Sequence, residues 1–251
     1  MNSLRAELKQ SFDRDGYIVI RGFLSNTELT GLKDELNRYI TRRVPELPRT
    51  DVFYEDRNDE STLKQMARIK EHDALFANLI CSKKWKELAE ALLDDDAVPQ
   101  ELEWFNKPPR IGKPTPPHQD GHYFMIEPNE AVTMWLALDP ADESNGCVRY
   151  IPGSHRRGIR PHGKTEVLGF SQGIVNYSTS DVKDEVPMVV AEGDLLAHHA
   201  VTIHRADGNT SDRHRRSLGL IYYAARARQD TRRLSDYQQT LYTEWQEKQK
   251  I

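Results

Sequence analysis

At 251 residues the chain has room for one large domain or two small ones, and β-barrel folds of this length commonly stay undivided, so a single domain over 1–251 is expected. With 37% hydrophobic residues and no apolar run approaching about 18 residues, a membrane span is excluded. The 35 Lys and Arg against 39 Asp and Glu leave a formal net charge of −4, which calls for neither nucleic acid nor an anionic membrane as partner.

In chain order, the opening stretch MNSLRAELKQSFDRDGY lacks an apolar leader, and the chain is expected to be cytoplasmic. Tyr17-Ile18-Val19-Ile20 reads as a strand, and Ser25 with Glu28 fits a capping box opening a helix whose apolar stripe is Leu29, Leu32, Leu36 and Tyr39. Lys83 to Leu93 repeats the helical pattern. Past Pro99 the texture changes. Short β-rich runs (Leu102 to Phe105, Val132 to Leu138, Val148 to Ile151, Val186 to Val190, Leu218 to Tyr223) are separated by Pro, Gly, Asn and Asp. A closing helix over Leu234 to Lys248 carries Tyr237, Leu241 and Trp245 four apart as its buried edge. The first third is thus helix-rich with one strand, and the plan is a β barrel flanked by helices. Two cysteines, Cys81 and Cys147, are too few for a disulfide framework and read as reduced thiols. Asp51 to Glu60 and Thr165 to Val182 read as long polar connections of the kind that act as lids.

The most informative segment is Pro117-His118-Gln119-Asp120. On a strand, His118 and Asp120 would project from one face and bring an imidazole and a carboxylate together. A metal site needs a third ligand. The downstream candidates are His155, His162, His198, His199, His204 and His214, and His204, at the end of the apolar run that starts at Gly193, is the best placed. That run reads as two strands or one bent strand. Two histidines and a carboxylate on one face of an octahedral ion leave three positions open, the ligand set of non-heme Fe(II) oxygenases, although zinc hydrolases use related sets. Eleven residues beyond His204, Arg215 stands on a strand with Ser217 two further on, a fork and a hydroxyl that could anchor the far end of a dicarboxylate co-substrate. His199 reads as a hydrogen-bonded core histidine and His155 as a turn residue bonded to backbone.

In these residues and their surroundings the sequence resembles the phytanoyl-CoA dioxygenase (PhyH) family of Fe(II)/2-oxoglutarate-dependent oxygenases. The resemblance covers most of the chain and is carried by Asp15-Gly16-Tyr17-Ile18-Val19-Ile20-Arg21-Gly22-Phe23, Asn106-Lys107-Pro108-Pro109, His118-Gln119-Asp120 with His122-Tyr123-Phe124, Trp135, Asn145-Gly146-Cys147, Ile151-Pro152-Gly153-Ser154-His155, Gly193-Asp194, His199, His204, Asn209 and Arg215, in the family's order. It implies a mainly β fold with flanking helices around a double-stranded β-helix (jelly-roll) core. It implies that His118, Asp120 and His204 ligate iron, and that Arg215 pairs with the distal carboxylate of 2-oxoglutarate, with Ser217 and Trp135 nearby. His122 and Tyr123 are candidate substrate contacts. One departure is Ala206, where family members often carry a serine two residues after the second histidine. Related halogenases replace the carboxylate ligand; here Asp120 is retained, which favours hydroxylation.

The implied activity uses Fe(II), 2-oxoglutarate and O2, hydroxylating a C–H bond of a small polar or anionic metabolite while 2-oxoglutarate becomes succinate and carbon dioxide. Two other readings use the same His/Asp/His set: a metal-binding β barrel without redox turnover, and a zinc hydrolase. The basic cluster Arg156, Arg157, Arg160, His162 and Lys164 reads as a solvated face, or, more sharply, as the sign of an anionic substrate.

Overall fold

The computed structural model describes residues 2–247; Lys248, expected to end the last helix, lies outside the described residues. Helix α1 (Asn2–Asp15) leads into strand β1 (Tyr17–Ile20), and α2 (Asn26–Arg42) follows. Ser25 caps α2 as expected, its hydroxyl accepting from the Glu28 amide while the Glu28 carboxylate reaches back to the Ser25 N–H. Next come β2 (Val52–Tyr54), β3 (Leu63–Met66), α3 (Ile69–His72), α4 (Ala74–Cys81) and α5 (Lys83–Leu93). The β-rich part holds β4 (Ala97–Lys107), β5 (Thr115–His118), α6 (Gly121–Phe124), β6 (Ile126–Glu127), β7 (Ala131–Ala137) and β8 (Val148–Tyr150). After it run β9 (His162–Lys164), β10 (Gln172–Ile174), α7 (Thr179–Lys183), β11 (Val186–Pro187), β12 (Leu195–His199), β13 (His204–Ala206), β14 (Arg215–Ala224), β15 (Arg228–Gln229) and α8 (Thr231–Glu247).

Two antiparallel sheets form the core: a seven-stranded one in the order β1-β12-β7-β14-β4-β3-β2 and a four-stranded one in the order β11-β8-β13-β5. Alternation along the large sheet divides its side chains. Leu102 and Trp104 of β4, Met134 and Leu136 of β7, and Leu218, Leu220 and Tyr222 of β14 face outward and pack under α2, α4 and α5, against Leu36, Ile80 and Trp85. The opposite face carries Trp135, Ala137 and Leu196, which meet Val148, Tyr150 and Met188 of the smaller sheet and its surroundings. This is the expected jelly-roll core with flanking helices. Leu220 is fully buried in the outer layer, so Leu220→Ala is expected to cost about 2–5 kcal/mol in urea unfolding without altering the metal site.

Several elements differ from the sequence reading. The first third holds β2 and β3 in addition to β1: β3 is recruited by pairing with β4, and β2 adds to β3 as the edge strand, rather than by their own pattern. Val186 to Val190 shortens to β11, because Val190 leaves the ladder to bridge Ala141. The stretch 165–182 is not structureless: it contains β10 and the start of α7. On α8, Trp245 is buried against Phe53, with ring centroids 5.6 Å apart, while Tyr237 and Leu241 are only half-buried. The run from Gly193 resolves into two strands in different sheets. Both cysteines are free, and no helix among the described residues is long and apolar enough to cross a membrane.

Candidate active site

His118 ends β5 and His204 begins β13, and the two are direct partners across the ladder, with ring centroids 4.1 Å apart. Asp120 is not on that strand. The chain turns after His118, and Asp120 takes helical backbone (φ −55°, ψ −36°) immediately before α6. The expected same-face strand pair is therefore a strand-end histidine and a turn carboxylate, brought close because helical backbone advances less per residue than a strand. One donor atom from each of His118, Asp120 and His204 lies within 4.8 Å of the others.

The far side of each side chain explains how they are held. His118 Nδ1 donates to the Pro116 carbonyl (2.8 Å) and His204 Nδ1 to the Thr202 carbonyl (3.0 Å), so each ring turns an Nε2 lone pair inward. Burial, reinforced by neighbouring His118, holds His204 well below its usual pKa and hence neutral. Asp120 Oδ2 accepts from Thr133 Oγ1 (2.6 Å) and from His198 Nε2 (3.0 Å), and Tyr150 donates to His198 Nδ1 (2.8 Å). That leaves Oδ1 facing His118 Nε2 at 3.4 Å and His204 Nε2 at 3.5 Å. Burial alone would raise the Asp120 carboxyl, but the hydrogen bond it accepts from His198 is among the interactions that hold it well below the usual carboxylate range. Three lone-pair donors aimed at one point repel one another unless a cation stands between them. The donor set thus fits a divalent metal, and its N/O composition suits iron.

Thr133, Tyr150 and His198 were not singled out from the sequence as supports, and His198 appeared there only as one ligand candidate among six. They orient the carboxylate ligand. Replacing His198 with Phe is expected to weaken metal binding by about 10–100-fold in a metal titration, with the fold retained.

The triad opens onto a cavity of about 250 Å³. Arg215 and Lys107 are cross-strand partners on β14 and β4, and both line it. The Arg215 guanidinium lies 5.3 Å from the Trp135 ring centre, its Nη1 donates to Ser217 Oγ (3.3 Å), and its buried Nε has no acceptor. Lys107 Nζ donates to the Lys113 carbonyl and to Thr115 Oγ1. Neither cation has a carboxylate partner among the described residues. Burial pushes Arg215 down to about 10, which leaves it charged at neutral pH, and burial together with Arg215 pulls Lys107 well below its usual value. Unpaired cations in a desolvated wall mark a place for an anion.

The remaining expected site residues separate. Trp135 lines the cavity, whereas Ser217 is fully buried behind Arg215. Tyr123 lines the cavity and its hydroxyl is tied to Gln172, donating to the carbonyl (2.6 Å) and accepting from the amide (3.1 Å). His122 does not line the cavity: it stacks on His162 at 4.2 Å, and burial with His162 beside it lowers it to about 4. Ala206 lines the cavity opposite Thr115 in the ladder, so the hydroxyl absent at 206 is present one strand away. The basic cluster stays outside the cavity: Arg160 pairs with Asp181 (2.8 Å), Lys164 with Glu244 (2.5 Å), and Arg156 and Arg157 are exposed. His199 accepts from the Val201 amide (3.1 Å) and His155 donates to the Asp13 carbonyl (3.1 Å), the backbone hydrogen bonds read from the sequence, but His199 is half-buried rather than a core residue.

The family model described as Phytanoyl-CoA dioxygenase (PhyH) matches residues 12–217. The peroxisomal phytanoyl-CoA dioxygenase of Bos taurus is 26% identical over 235 residues, spanning 88% of this chain and 69% of its own. The phytanoyl-CoA dioxygenase of Arabidopsis thaliana is 28% identical over 252 residues, spanning 87% of this chain and 88% of its own. Among solved structures, the epimerase SnoN in complex with Fe3+, alpha ketoglutarate and nogalamycin RO is similar with a TM-score of 0.74 at 23% identity, covering 90% of this chain and 86% of that one. EctD from S. alaskensis with 2-oxoglutarate and 5-hydroxyectoine follows at 0.71 and 20% identity, covering 87% and 76%. At such identities the solved structures speak to the fold, while the family match spans the His118, Asp120, His204 and Arg215 positions. The chain therefore belongs to the phytanoyl-CoA dioxygenase family of Fe(II)/2-oxoglutarate-dependent oxygenases, enzymes that work with iron, 2-oxoglutarate and O2.

Proposed function

We propose that this enzyme hydroxylates a C–H bond of a small polar molecule, with His118, Asp120 and His204 holding Fe(II) and Arg215 receiving the distal carboxylate of 2-oxoglutarate. The observation that carries the reading is the convergence of two Nε2 lone pairs and Asp120 Oδ1 in a cavity that also buries Arg215 without a carboxylate. When bound, iron and 2-oxoglutarate supply the oxidising power, consuming O2 and leaving succinate and carbon dioxide.

The chain's own residues bind, orient and exclude water. Trp135 supports the plane of the Arg215 guanidinium and Ser217 fixes its Nη1, so the fork is set before an anion arrives. Lys107 and Thr115 add a cation and a hydroxyl beside it. Phe170 lies over His118 at 5.3 Å between ring centroids, and Tyr123 packs against the same imidazole at 6.1 Å, keeping bulk water from the metal ligands. A cavity of about 250 Å³ falls below the usual ligand-pocket range of about 300–1,000 Å³, which favours a small metabolite over a long acyl-CoA.

The test is a succinate-release screen over candidate metabolites with Fe(II), 2-oxoglutarate and O2. Succinate is expected only when all three are present, in step with substrate hydroxylation. Conversion of substrate without oxygen and 2-oxoglutarate overturns the reading.

A further inference from the structure

Charges in the cavity wall can be matched one by one. Lys64 and Lys113 lie 3.6 and 3.8 Å from Glu55, Arg205 is paired with Glu185 and Asp207, and Asp120 faces the two histidine ligands. Arg215 and Lys107 remain for the co-substrate. One ionisable group is then left over: Glu103 lines the cavity and forms no ion pair with any described residue.

Its position is set by the ladder. On β4 and β14, Lys107 pairs with Arg215 and Glu103 pairs with Gly219, four residues along each strand and therefore on the same face. At about 3.3 Å per residue the two pairs stand roughly 13 Å apart, so the cavity has a basic end and an acidic end. Gly219, opposite Glu103, lets the Phe105 ring lie over its strand: a Cβ there would stand 3.1 Å from that ring. Phe105, on the same face two residues on, stacks with Phe170 at 6.2 Å, giving the acidic end an aromatic wall. Gln65, only 6% exposed and also on the wall, interacts with the Glu103 carboxyl and keeps a buried Oε1 with no donor. A carboxylate and an unmet carbonyl oxygen both ask for N–H donors, and an aromatic face favours a cation.

We propose that Glu103 is a substrate-anchoring residue, and that the substrate carries a cationic nitrogen group, an ammonium or a guanidinium, held by Glu103 and Gln65 beside Phe105. This deepens the proposed hydroxylase reading, on which it rests in assigning the basic end to 2-oxoglutarate. Burial, with Glu101 and Asp120 nearby, pushes Glu103 up to about 8, and Arg68, which acts on it in the opposite sense, is bonded to Asp51, Thr50 and Tyr242. At neutral pH the free carboxyl is therefore largely protonated, and a cationic ligand supplies the partner that returns it to the carboxylate.

The experiment uses the full chain with Fe(II) and 2-oxoglutarate under anaerobic conditions, and three probes of similar shape: phenethylammonium, 2-phenylethanol and 3-phenylpropionate. Calorimetry is expected to show the ammonium binding at least tenfold more tightly than the other two. Glu103→Gln is expected to bring the three within about twofold, and Glu103→Asp to keep part of the preference, with near-ultraviolet circular dichroism reporting an intact fold. Equal or better binding of the alcohol or the carboxylate, no binding of any probe, or a preference that survives Glu103→Gln (as coordination of the amine to the metal would) overturns the proposal. A 2-oxoglutarate titration of the same wild-type preparation separates the two levels. Co-substrate binding without an ammonium preference sinks this inference alone, whereas absent co-substrate binding sinks the hydroxylase reading.

Discussion

His204→Ala is expected to lower kcat/KM for 2-oxoglutarate-dependent substrate oxidation by at least about 1000-fold, roughly 4 kcal/mol of transition-state stabilisation. The variant removes one of the three converging donors, and the imidazole has no substitute, since His198, the other histidine on Asp120, has both ring nitrogens committed to Tyr150 and Asp120. Fe(II) binding is expected to fall with activity, whereas unfolding by urea changes little, because His204 lies at the start of a short strand and its side chain faces the cavity rather than the apolar core. Succinate release, substrate conversion and metal titration on the same preparation check this. Near-normal turnover with normal iron content would show that another group ligates the metal.

Arg215→Met is expected to raise the Kd for 2-oxoglutarate by about 100- to 1000-fold, about 3–4 kcal/mol, within the scale on which removing one partner of a buried charge pair acts. Methionine keeps much of the volume over Trp135 while deleting the fork. The same substitution removes a desolvated cation that has no carboxylate partner in the chain, so without co-substrate the variant is expected to unfold at an equal or higher temperature than the parent. Loss of binding joined to undiminished stability is what distinguishes an anion anchor from a structural arginine. Arg215→Lys is expected to restore binding only in part, since an ammonium cannot make the two parallel hydrogen bonds of a guanidinium. Titrations followed by calorimetry, with melting curves at several co-substrate concentrations, read both effects.

Features whose cause is local in the chain were legible without coordinates. The capping box of Ser25 and Glu28 and the span Lys83 to Leu93 are set by side chains three or four residues apart, and they appear as read. His118 and Asp120 were legible as a chemical pair, but their backbone was not. Only the turn into α6, closed by the Gly121 amide donating to the distant Ala200 carbonyl at 2.8 Å, shows that Asp120 approaches from a bend. Strands β2 and β3 lacked a pattern of their own because β3 is held by β4, and β2 by β3, rather than by alternation. Thr133, Tyr150 and His198 belong to three strands, and nothing in any one of those segments says that Thr133 and His198 meet on Asp120 with Tyr150 holding His198.

By itself the amino-acid order determined the class of the molecule: the helix-then-strand texture, the two imidazoles and carboxylate that suit a ferrous ion, and the arginine with its serine on one strand face. Those depend on residue type and short spacing, which survive in a one-dimensional reading. Tertiary structure alone decided how charges are matched. Arg215 meets Lys107 and Gly219 meets Glu103 only because β14 lies beside β4 in one register, and slipping that register by a residue would turn each of these side chains to the other face of the sheet.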